Sequence, residues 1–127
     1  MNWLISHRMV ITRGLAWFGF LAIVILTVVP AYLRPTTGAP SEFEHLAAFG
    51  LVAGMFAIGY RCSLTRFLLM AFLVCGGIEL LQVPLPTRHA RLSDFIIDVG
   101  SAWAVMCFVA VSNKLSVAHR QRQKRAA

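Results

Sequence analysis

The chain has 127 residues, 58% of them hydrophobic and only 13% charged, where a soluble domain carries about 25% charged residues. That deficit excludes an ordinary water-soluble globule, and the length leaves room for a single domain. The net charge of +7 does not imply nucleic acid, because the basic residues cap apolar runs instead of building a groove-reading motif. In that position they report orientation in a bilayer.

The first apolar run, Gly14 to Leu33, is twenty residues without a charge, enough to span a hydrocarbon core of about 30 Å. Arg8 and Arg13 precede it, as in a signal peptide, but the run exceeds the roughly 7–15 residues of a signal core and more spans follow. It is read as a retained helix over about 14–33. Trp3, Trp17 and Tyr32 are expected to serve as packing or interfacial anchors.

The second run, Leu46 to Tyr60, has fifteen uncharged residues, too few alone. Ser41-Glu42-Phe43-Glu44 supplies a helix start of the capping-box type, with Ser41 capping and Glu44 reaching back. The helix is therefore placed at about 42–60, with Glu44 and His45 in its first turns. Gly50 and Gly54, beside Ala47 and Ala57, form a G-x-x-x-G suited to close helix contact.

The third helix is expected at about 64–83, ended by Pro84 and Pro86, with Glu79 and Gln82 near its far end. Helices two and three should form a tight hairpin. The fourth is placed at about 94–112, with Asp98 one turn inside, and a basic tail follows over 113–127. The predicted fold is all-α, four transmembrane helices in a compact bundle. Cys62, Cys75 and Cys107 lie in or beside apolar segments, lack zinc spacing, and read as small packing residues.

Four spans put both termini and the loop between helices two and three on one side. Nine basic residues (Arg8, Arg13, Arg61, Arg66, Lys114, Arg120, Arg122, Lys124 and Arg125) stand there, against Arg34, Arg88 and Arg91 on the other. The positive-inside rule makes the first side cytoplasmic. All five acidic residues (Glu42, Glu44, Glu79, Asp94 and Asp98) fall on or near the opposite, outer side, together with His45 and His89. Orientation does not require that segregation.

Intramembrane ionisable groups are costly and commonly mark function. Glu79 and Gln82 share a face of helix three, and Asp94, Asp98 and Ser101 share one of helix four. Arg34, Arg88 and Arg91 are placed to pair with the carboxylates, and such pairs could equally serve only to hold the helices together. No spacing supports a metal site, and no cofactor is implied.

In order along the chain, Arg34 with Thr37-Gly38, Glu44-His45 opening a helix, Glu79-Leu80-Leu81-Gln82, Arg88, Arg91, Asp94, Asp98 and Gly100 resemble the VanZ-like family of small bacterial membrane proteins. The resemblance covers roughly residues 34–110. Three features depart from the family pattern: Asp98 stands where members often carry asparagine, the following glycine is Gly100 rather than one residue later, and many members carry lysine-histidine where this chain has Glu44-His45. The resemblance implies the bacterial cytoplasmic membrane and a role at the outer leaflet, in a family associated with reduced susceptibility to teicoplanin-type glycopeptides.

The expected function is a polar pocket at the outer face, built from Arg34, Glu44, His45, Glu79, Gln82, Arg88, Arg91, Asp94 and Asp98. Its expected ligand is a lipid or an amphiphilic, lipid-linked envelope molecule. Two alternatives are kept open: a membrane enzyme acting on a lipid-linked phosphate, and a small proton-coupled transporter using Glu79. Membrane lipids are the other expected partner, and the basic tail would lie against anionic lipid.

Overall fold

A computed structural model describes residues 2–33, 38–85 and 91–126, and the chain is all-α. The helices are α1 (Asn2–Val28), α2 (Ser41–Gly59), α3 (Leu64–Gln82) and α4 (Leu92–Ala126), with a 3-10 turn at Ala31–Leu33. All four are long and apolar enough to cross a membrane. Large apolar side chains such as Phe18, Leu80 and Phe108 are exposed on their outward faces, as a lipid-facing surface requires.

The ends of the helices follow from local chemistry. α1 starts at Asn2 instead of the expected Gly14, because Arg8 and Arg13 end an apolar run without breaking a helix. It stops at Val28, short of the expected Leu33, because Pro30 lacks an N–H and disfavours helical backbone in the residue before it. The chain leaves through the turn in which Leu33 N–H donates to Pro30 O at 3.0 Å.

The expected capping box at Ser41 does not form. Pro40 is the N-cap, in extended backbone (φ −54°, ψ 140°), and no side chain makes the capping hydrogen bond. Its carbonyl instead accepts the N–H groups of Phe43 (3.0 Å) and Glu44 (3.4 Å). Ser41 is thereby the first helical residue rather than the cap, and Glu42 and Glu44 in the first turn favour the positive end of the helix dipole.

α3 ends at Gln82, just before Pro84, close to expectation. α4 does not stop near Ser112. It continues as one helix of 35 residues, because no glycine or proline follows Gly100 and the segment expected to be a tail is rich in good helix formers.

α2 and α4 run parallel and share the most extensive interface. Its centre is the G-x-x-x-G: a Cβ added at Gly50 would lie 3.4 Å from Val105 Cγ2, and one at Gly54 only 2.9 Å from Val105 Cγ1. α1 lies antiparallel on α2. Arg13 Nε–H donates to Gly59 O at 2.7 Å, its guanidinium sits 4.7 Å from the centre of the Tyr60 ring, and Trp17 Nε1–H donates to the Tyr60 hydroxyl at 2.9 Å. Trp17 thus anchors one helix to another, whereas Tyr32 is exposed. α3 packs on α4, where the Phe72 and Phe95 rings meet edge-to-face at 5.4 Å.

The short link between α2 and α3 does not make them neighbours. The two stand diagonally across the bundle, separated by α1 on one side and α4 on the other. They meet through side chains in two core clusters, one around Phe49, Cys75, Ile78 and Val99 and one around Ala53, Ala102 and Met106. Cys75 is buried, as a packing role requires, but Cys62 is exposed in the α2–α3 link. Between α2 and α3 lies an apolar groove of about 390 Å³.

Candidate functional site

The polar side chains gather at the end of the bundle away from the chain termini, here the distal end. Two helix starts and one helix end meet there. His45 is in the first turns of α2, Asp98 is in the second turn of α4, and Glu79 is in the last turn of α3.

Because α2 and α4 run parallel and approach closely at Gly50 and Gly54, their first turns are held side by side. His45 Nδ1 lies 2.9 Å from Asp98 Oδ1. Asp98 is 1% exposed, so this is an ion pair or charge-assisted hydrogen bond withdrawn from water. With Asp98 ionised, Nδ1–H donates to the carboxylate, and Nε2 in a neutral ring is an acceptor. The ring is held flat against Phe49, 9° from parallel at 6.1 Å between centroids. Ser101 Oγ–H donates to the Asp98 backbone carbonyl at 3.0 Å.

Glu79 reaches toward the same helix start. Its Oε1 accepts the backbone N–H of Arg91, immediately before α4. Its Oε2 is buried and has no hydrogen-bond partner among the described residues. Asp94, Asp98 and His45 are all within electrostatic range of Glu79. A buried carboxylate oxygen needs a donor, since leaving it without one costs about 1–3 kcal/mol.

Beside this group is a small cleft of about 60 Å³, lined in part by Thr27, Glu44, His45, Phe49 and Gln82. Gln82 is 9% exposed, with an amide that can donate and accept. Glu44 is half-buried, while Arg91 is exposed and reaches the cluster through its backbone rather than its guanidinium. Asp94 is half-buried at the rim and accepts from Ser93 Oγ at 3.1 Å.

Of the nine residues expected to form the site, His45, Glu79 and Asp98 come together, Glu44 and Gln82 line the adjoining cleft, and Arg91 and Asp94 stand at the rim. Arg34 and Arg88 lie outside the described residues, as does His89. Sequence reasoning overlooked two members. Thr27 is buried and its Oγ1–H donates to Ile23 O at 2.8 Å; its only signal was a hydroxyl in the last turn of an apolar run. Phe49 is one turn beyond His45 and could have been found by that spacing. Among the described residues no three His, Cys, Asp or Glu side chains converge as metal ligands.

No protein-family model matches the chain, and neither a curated protein nor a solved structure is significantly similar to it.

Proposed function

We propose that the chain is an integral membrane protein of the cell envelope whose distal polar cluster faces outward and binds the headgroup of a lipid or other amphiphile. The observation that carries this reading is the buried Glu79 Oε2, without a donor among the described residues, beside the His45–Asp98 pair. Its carboxylates accept, so the headgroup they suit is rich in hydroxyl or ammonium donors. Arg91 at the exposed rim suits a phosphate on the same molecule. The ordered likeness to VanZ-like proteins over residues 34–110 supports the membrane and the leaflet, and through them a link to glycopeptide susceptibility.

The test is lipid retention by the purified full chain. Expected is one co-purifying amphiphile, seen by mass spectrometry, that is lost in Glu79→Ala and Asp98→Ala while both variants still insert in the membrane. Undiminished retention in both variants would sink the headgroup site.

The His45–Asp98 pair also favours a second reading, an enzyme acting on a lipid-linked phosphate. A carboxylate that fixes an imidazole raises the basicity of the ring and sets its tautomer, which are the parts general acid–base chemistry needs. Turnover of a polyprenyl phosphate that disappears in His45→Gln, with lipid retention unchanged, would favour the enzyme over simple binding.

A further inference from the structure

All five acidic side chains of the protein lie at or near the distal end. The opposite end, which carries the termini, therefore has basic residues and no side-chain carboxylate to neutralise them. Arg13 is engaged there with Gly59 and Tyr60. Arg61 and Arg66 are different: they are exposed, and neither has a hydrogen-bond or ion-pair partner among the described residues.

Both arginines line the mouth of the apolar groove between α2 and α3. Both also line a second cleft of about 460 Å³ at the same end, whose wall includes Ser63 and Asn113. The two clefts share Tyr60, Arg61, Cys62, Arg66, Phe67 and Met106, so they adjoin one another. One compartment is polar and cationic at the membrane surface. The other is apolar and runs along α2 from Tyr60 to Phe49, about 17 Å at the helical rise.

We propose that this compound cleft holds one anionic phospholipid from the leaflet on the side of the termini. The phosphate lies against Arg61 and Arg66, with Asn113 and the Ser63 hydroxyl as further donors. One acyl chain rises into the groove between Phe56 and Phe67 toward Cys75. The charge must come from outside because the protein offers no side-chain carboxylate at that end. The apolar compartment selects a lipid over a free phosphate, since a chain-bearing anion alone fills both parts. The site is separate from the distal cluster and does not depend on the reading given to it.

The test uses the full chain in a neutral detergent, titrated with phosphatidylglycerol and, in parallel, phosphatidylcholine, and read by native mass spectrometry. The expected result is one tightly held phosphatidylglycerol, with phosphatidylcholine held far more weakly. Arg61→Gln with Arg66→Gln should weaken phosphatidylglycerol about tenfold or more, as loss of charge-assisted bonds predicts. Arg120→Gln with Arg122→Gln, which removes equal charge from the end of α4, should leave the affinity unchanged. Ala71→Leu, which narrows the groove without touching charge, should weaken the lipid but not inorganic phosphate.

Equal losses in the two arginine pairs would mean diffuse attraction to a basic surface and would overturn the site. Displacement of the lipid by glycerol phosphate at comparable concentration, with Ala71→Leu silent, would make the occupant a soluble phosphate and overturn the lipid. Normal melting of each variant in detergent separates lost binding from lost folding.

Discussion

Asp98 is the largest fully buried side chain among the described residues, and its environment sets the cost of every change around it. Removing His45 would strand a carboxylate away from water, and breaking a buried pair from one side costs about 3–5 kcal/mol. His45→Leu is therefore expected to be strongly destabilising in denaturant titrations of the detergent-solubilised protein. The double variant His45→Leu, Asp98→Leu should recover much of that loss, because two apolar side chains leave no charge buried. If the double variant is as unstable as the sum of the single ones, the pair is not coupled. The sequence marks Asp98 and Glu79 plainly, as charges inside apolar runs. It does not reveal that histidine is the partner of Asp98, because pairing depends on how far each helix is rotated about its axis. Sequence order favours the arginines of the loops, whereas the first turns of two parallel helices bring His45.

At the scale of the helices, the small residues of α2 decide where α4 can go. At Gly54 a methyl group would come within 2.9 Å of Val105 Cγ1, a distance that forces the valine to move. Gly54→Ala is expected to destabilise by about 1–3 kcal/mol through overpacking, and Val105→Ala in the same chain should restore part of it. The expected readout is a fall and partial recovery of the melting temperature in detergent. Gly77→Ala, where the added Cβ meets nothing within 4 Å, should gain slightly through helix propensity, and a comparable loss there would show that the Gly54 effect is not overpacking against Val105. The glycine pattern and the prolines that end α1 and α3 are visible in the sequence because their effects are local. The limits of α1 and α4 are not read from hydropathy, since a charge ends an apolar run but not a helix. Nor does a four-residue link specify that α2 and α3 pack together; here the glycine contact draws α2 to α4 and leaves α3 on the diagonal.

For the whole molecule, the separation of charge predicts how the bundle is oriented. In a chain lacking Cys62, Cys75 and Cys107, Thr87→Cys is expected to react with a membrane-impermeant maleimide on intact cells, and Ser63→Cys only after lysis. The reverse pattern would turn the acidic end toward the cytoplasm and withdraw the outward-facing headgroup site. One further consequence belongs to α4. Its 35 residues amount to a rod of about 52 Å, with Asp98 near one end and Lys124 and Arg125 at the other. About 30 Å of that length suffices to cross a hydrocarbon core, so the last turns, exposed from Asn113 to Arg125, stand clear of the other helices as a straight basic stalk.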